Sequence, residues 1–235
     1  MSISEKFEVI ADAVYDKGLN DGKKSQYDEF WDAYQNYGKL TNYKMAFAGR
    51  GWDNETFKPK YDIGGTAATT MFQESLISGS LIDICKEYNI KIHTENCIGF
   101  QNMFYSAKFT EIPEIDCRKA SKGGLQYAFY QSYNLVKLEK LILNDVGDTL
   151  FQSSFYRCDA LSDITIEGVI GQDISFSYSP LSVASIESII SALKDYKGTS
   201  SDGVNTVTFK ASAFNVNSEE WRTQIQAKGW NVTTV

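Results

Sequence analysis

One histidine, four cysteines and a scatter of carboxylates are the groups of this chain able to do acid–base, nucleophilic or metal chemistry. Any Ser-His-Asp or Cys-His device would have to use His93, because no second histidine is available. Cys85, His93 and Cys97 lie close together in "CKEYNIKIHTENC", but C-x7-H-x3-C fits no common zinc arrangement and lacks an evident fourth ligand. Among the carboxylates, Glu111, Glu114, Asp116 and Glu167 could supply the pair that glycoside hydrolysis requires. That chemistry needs one of the two desolvated at a working separation; acidic residues on a solvated face account for the same pattern. Cys158 follows the aromatic pair Phe155-Tyr156 in "FQSSFYRCDALSDITIEG", where it reads as a reactive thiol, part of a pocket or a core filler. No C-x-x-C occurs, and a chain of this length without a secretion signal favours free buried thiols over disulfides. The "GRG" at 49–51 is too short for a phosphate loop. No catalytic residue, metal or cofactor is expected, so the chain reads as non-enzymatic.

The chain that must position these groups has 235 residues, 43% hydrophobic and 14% aromatic, enough for one well-packed domain with an appendage. A net charge of −7 and the lack of a basic stripe argue against a nucleic-acid partner. No run of ~18 apolar residues is present, so no membrane insertion is expected. The opening "MSISEKFEVIADAV" has neither a basic n-region nor an apolar h-region, which predicts synthesis in a bacterial cytoplasm without a signal peptide.

The centre of the chain is self-similar. "FQNMFY" at Phe100, "LQYAFY" at Leu125 and "FQSSFY" at Phe151 follow one another at 25 and 26 residues. "TTMFQESLISGSLIDI" (69–84) resembles a degenerate earlier copy, lengthened by a helical turn around 81–88. A bulky signpost followed by a short alternating strand, every ~25 residues, predicts stacked units of a leucine-rich-repeat solenoid, an α/β fold with short parallel strands. The strands are expected at about 91–93, 114–116, 141–143 and 164–166. Cys158 takes the place that Ser132 and Ala107 hold in the sister units, which makes it a small core filler.

The flanks supply caps. Residues 1–24 read as a helix plus hinge: Ile3, Phe7, Ile10 and Val14 have seam spacing, for oligomerisation through residues 1–16 or for docking on the domain. Residues 25–66 read as an aromatic N-terminal cap, with Tyr27, Phe30, Trp31, Tyr34 and Tyr37 on one helical face. Residues 67–178 hold the repeats. Residues 179–235 read as a C-terminal cap: a helix with Leu181, Ile186, Ile189, Ile190 and Leu193 inward and Gly198 as its stop, a strand at 206–209, a helix at 217–230 capped by Ser218, and a last strand.

The units "AFYQSYNLVKL" and "SFYRCDALSDITI" resemble BspA-like (Treponema pallidum-type) leucine-rich repeats. The segment from Gly22 to Ile63, with its Tyr-Asp-x-Phe-Trp-Asp-x-Tyr-Gln signature, resembles leucine-rich-repeat proteins of phages and prophages of Gram-positive gut bacteria, as does the C-terminal segment. The resemblance implies a virion or tail-associated protein, for which other virion proteins and a host cell-surface protein or glycan are the expected partners. A bacterial surface adhesin of the BspA type is the alternative, and a carbohydrate-active enzyme a third. The expected binding surface is the outward side of the strands. By alternation it comprises Lys91, His93, Glu114, Asp116, Ile142, Asn144, Thr165 and Glu167, with Ile142 as its exposed apolar residue. The same pattern fits a merely solvated sheet. Trp52, in a glycine-flanked loop, and the spare tyrosines suit sugar stacking or buried packing equally.

Overall fold

The computed structural model describes residues 46–49, 52–121 and 124–235. The expected N-terminal helix, its hinge and the aromatic cap helix at 27–37 lie outside the described residues. The described part is an α/β fold whose strands all pair in parallel.

The main sheet runs β2 (Ser78–Ser80), then β4 (Lys108–Ile112) and β5 (Ile115–Asp116), then β6 (Lys137–Ile142), then β7 (Asp163–Glu167). β4 and β5 pair with opposite halves of β6, and Pro113 lies between them. Proline has no N–H to give a ladder, so one strand becomes two. Upstream, β1 (Ile63–Gly64) pairs with β3 (Ile92–His93). Downstream, β8 (Ile174–Phe176), β9 (Thr206–Phe209) and β10 (Asn231–Thr234) form a three-stranded sheet. The expected strands at 91–93, 114–116, 141–143 and 164–166 all exist in shifted form; β8 was not anticipated.

Among the described residues there are four short helices: α1 (Leu81–Glu87), α2 (Val183–Ala192), α3 (Ala211–Phe214) and α4 (Ser218–Ala227). Ser80 caps α1, accepting from the Asp83 N–H, and Ser182 caps α2. Leu181, Ile186, Ile189, Ile190 and Leu193 are buried as expected. Two details differ. α2 ends at Ala192, so Gly198 (φ +72°) belongs to a later turn, and α4 is preceded by Asn217, so Ser218 is its first residue and not its cap. α2 also closes the open edge of the main sheet. The N–H groups of Ile164 and Ile166 on β7 donate to Ser185 Oγ (2.9 Å) and Ser188 Oγ (2.8 Å). A row of edge amides that would otherwise invite another strand is thereby paired.

Opposite the strands lies a layer of tight turns, and between the two lies an aromatic core. Phe47, Phe72, Phe104, Phe129 and Phe155 stack in succession, with ring centroids 5.2, 5.4, 5.5 and 5.2 Å apart. Phe176, Phe209, Phe214 and Trp221 continue the line. The turns are paired backbone to backbone: the N–H of Phe104 donates to Ala128 O, and that of Phe129 to Ser154 O. Each turn holds two non-glycine residues at positive φ, four apart: Thr70 and Glu74, Asn102 and Ser106, Tyr127 and Gln131, Ser153 and Arg157. A left-handed residue costs roughly 1–2 kcal/mol, and the lateral pairing of the turns supplies the compensation.

Candidate functional site

β3 of the two-stranded sheet and β5 and β6 of the main sheet line a cleft of about 450 Å³. Lys91, His93, Glu114 and Asp116, four residues expected from alternation, line it, and Glu95, Arg118 and Glu139 join them. His93 lies on a strand of only two residues and is held from both sides: Nε2 is 3.0 Å from Asp62 Oδ2 and Nδ1 is 3.4 Å from Glu95 Oε1. Asp62 also accepts from the Lys91 N–H at 2.8 Å. Burial pushes the Asp62 carboxyl up, but the Lys91 N–H and the His93 ring together outweigh it and leave the group below its ordinary value.

Asp116 is buried, and its partner rises out of the cleft floor. Arg118 reaches it through Nη2 at 2.6 Å and Nε at 3.1 Å. These hydrogen bonds hold the Asp116 carboxyl below the usual carboxylate range. The Asp116 N–H is satisfied by Thr94 Oγ1 at 2.7 Å.

Lys140 was not anticipated. Its Nζ lies 3.5 Å from Glu114 Oε2 and 3.4 Å from Glu167 Oε2, bridging β5 and β7 across β6. Hydrogen bonding to Glu167, with help from Glu114, raises the Lys140 ammonium above its ordinary value. The side chains of Glu114 and Glu167 are 51% and 60% exposed. Both are therefore solvated anions sharing one cation; the desolvated proton donor of a glycosidase has a different environment.

The remaining expected residues separate. Thr165 is exposed on β7, outside the cleft lining. Asn144 organises a turn instead of meeting solvent, with Oδ1 accepting from the N–H groups of Val146 and Gly147 and Nδ2 donating to Asp148. Ile142, expected outward, is only 7% exposed. The register of β6 shifts between Leu138 and Leu141, strict alternation fails there, and Leu141, Ile142 and Leu143 are all buried. Trp52 is buried too, edge-on to Phe47 at 5.5 Å, so it offers no face to a sugar.

All four cysteines are free. Burial raises the thiols of Cys85 and Cys97 to about 11 and pushes those of Cys117 and Cys158 up as well, away from the thiolate that a nucleophile requires. Cys158 donates to Phe129 O at 3.1 Å, and Ser132 makes the matching bond to Phe104 O at 2.6 Å. The thiol thus fills a serine's place in the turn layer. Among the described residues no cluster of three or more His, Cys, Asp or Glu could hold a metal ion, and no helix is long and apolar enough to cross a membrane.

Three of the spare tyrosines form a second surface, on the outer side of the turn layer, in an arrangement that sequence reasoning missed. Tyr105, Tyr130 and Tyr156 stack face to face at 5.0 Å per step. Their signal was present in the Phe-Tyr pairs at 104–105, 129–130 and 155–156: the phenylalanine goes in, so the tyrosine goes out. The chain matches no protein-family model, no curated protein and no solved structure.

Proposed function

We propose that this chain is a non-enzymatic binding protein of the leucine-rich-repeat kind, with BspA-like units stacked as a solenoid, and that it serves as a virion or tail-associated component meeting a host surface. The parallel pairing of strands 26 residues apart, Glu111 with Lys137 and Lys137 with Asp163, supports the stacked-unit reading. So does the line of phenylalanines, one to a turn. The observation that carries the binding role is the cleft face. Several of its acids and bases are knit into pairs, and the one thiol in its lining, Cys85, is half-buried and pushed up to about 11, so the face offers a partner fixed charges and no ready nucleophile. Solvated pairs of this kind contribute little stability, ~0–1 kcal/mol each, and more to the choice of partner. The placement in a phage particle rests on the sequence resemblance.

Two measurements test this. Mass spectrometry of washed particles from the producing strain should find the chain in the tail fraction. Its recovery on the bacterial surface and not in particles would favour the adhesin reading. Particles carrying Lys91→Glu, a change at an exposed residue of the cleft lining, should assemble normally but adsorb to host cells at least tenfold more slowly. Unchanged adsorption would remove the cleft from the binding role.

A further inference from the structure

The tyrosine strip has a chemistry of its own. Tyr105, Tyr130 and Tyr156 repeat at 5.0 Å with interplanar angles of 12° and 18°. Tyr127 stands edge-on to Tyr130 at 5.6 Å. Beside them Gln126 Nε2 donates to Gln152 Oε1 (2.9 Å), and Gln152 Nε2 donates to the Tyr127 hydroxyl (3.0 Å). None of these six side chains is charged, although the whole chain carries −7. At one end Arg157 lies between the rings of Tyr133 (5.4 Å) and Tyr178 (5.3 Å) and is paired with Asp159.

Three features narrow what such a strip can hold. Its width is about two rings, and its three turns, two steps of 5.0 Å, make it about 10 Å long. That is a fraction of the ~800 Å² a side that a stable protein pair buries, so a second copy or a globular partner is too broad for it. The backbone beneath is already consumed: the N–H of Ser106 donates to Tyr130 O, that of Gln131 to Tyr156 O, and that of Tyr130 to Tyr127 O. An extended peptide would find no free backbone ladder to join. The stacked rings cover one another's faces and leave edges, hydroxyls and amides outward. These are donors and acceptors already fixed in place, so little ordering cost attends their use. A narrow, uncharged, hydroxyl-bearing ligand with a linear repeat satisfies all three.

We propose that the strip of Tyr105, Tyr130 and Tyr156, flanked by Tyr127, Gln126 and Gln152, binds a single chain of a neutral polysaccharide laid across successive turns. The site is separate from the cleft, and it stands whether or not the cleft meets a partner.

Calorimetric titration of the full chain tests it. The probes are soluble neutral oligosaccharides of β-linked glucose, β-linked N-acetylglucosamine and α-linked mannose, with heparin as a polyanion and an uncharged glutamine-rich peptide as controls. At least one neutral glycan should bind. Tyr130→Phe/Tyr156→Phe, which keeps the stack and removes two hydroxyls, should weaken it about tenfold at an unchanged urea midpoint. Should that midpoint fall, Gln152→Leu, exposed and outside the stack, should weaken binding in the same sense. Lys91→Glu, in the cleft lining, should bind the glycan like the parent chain, which separates this site from the cleft. Failure of every neutral glycan, binding of heparin or the peptide alone, or full affinity in the tyrosine and glutamine variants would each overturn the proposal.

Discussion

Phe155→Ala is the sharpest test of the aromatic core. The ring is 1% exposed and lies between Phe129 at 5.2 Å (8° between planes) and Phe176 at 4.7 Å (28°). Removing a buried phenylalanine costs ~3–5 kcal/mol, made up of lost transfer energy and the cavity that remains. Neighbours on both faces place this residue in the upper half of that range, because each stacked pair adds ~0.5–1.5 kcal/mol beyond its area. The cavity also resists collapse, since Phe129 is held by its turn and Phe176 by β8. Urea denaturation followed by near-UV circular dichroism gives the free energy, and an unchanged m-value confirms that the same surface unfolds. Phe155→Leu keeps most of the volume but loses both stacks, so it should cost about half as much. A double-mutant cycle with Phe129 should return a coupling of ~0.5–1.5 kcal/mol. A loss below ~1 kcal/mol for Phe155→Ala, or no coupling to Phe129, would refute the idea that the rings carry the core.

Cys158→Ser should be tolerated within ~1 kcal/mol because a hydroxyl can keep the bond to Phe129 O, whereas Cys158→Val loses that bond, although the carbonyl still accepts from the Ser132 N–H, and should cost ~0.5–1.5 kcal/mol; urea midpoints measure both. Ser185→Ala strands the Ile164 N–H at the sheet edge and should cost ~1–3 kcal/mol, with Ser185→Ala/Ser188→Ala raising aggregation rates in light scattering. Asp116 gives a pH signature. Its folded-state pKa lies below the unfolded one, so its contribution is present above the ordinary aspartate range and is lost as pH falls through the depressed value. Asp116→Asn should therefore flatten the acid limb of a stability–pH profile taken from pH 6 to pH 2 and leave the slope near neutrality unchanged.

Much of this was legible in the residue order. Spacings of 25 and 26 between Phe104, Phe129 and Phe155 predicted parallel strands and a shared aromatic layer, and both are present because an apolar ring must find a dry neighbour. Alternation placed Ile164 and Ile166 inside and Thr165 and Glu167 outside, since β7 is regular. It failed at Ile142 and overlooked Lys140 for one reason: the irregularity in β6 is a property of the pairing, which a single strand's sequence does not encode. Trp52 misled because flanking glycines mark a loop but say nothing about what the loop folds over. The conformation of the turns was hidden as well. Positive φ is usually announced by glycine or asparagine, and here the positions are filled by threonine, glutamate, serine, tyrosine, glutamine and arginine with a single asparagine.

Those turns have a consequence for how the molecule comes apart. A segment holding two left-handed side-chain-bearing residues is unfavourable by itself and is held by backbone hydrogen bonds given to or taken from a neighbouring turn. Stability is therefore borrowed sideways along the stack and not generated within each turn. No interior turn can open without releasing strain in its neighbours, so the interior should exchange its amide hydrogens as one unit. A terminal turn has a single creditor and should exchange first. A break in the chain near Ser153 would accordingly be felt at Phe104 before it reached the three-stranded sheet's far edge at β10, which lies outside the line of paired turns.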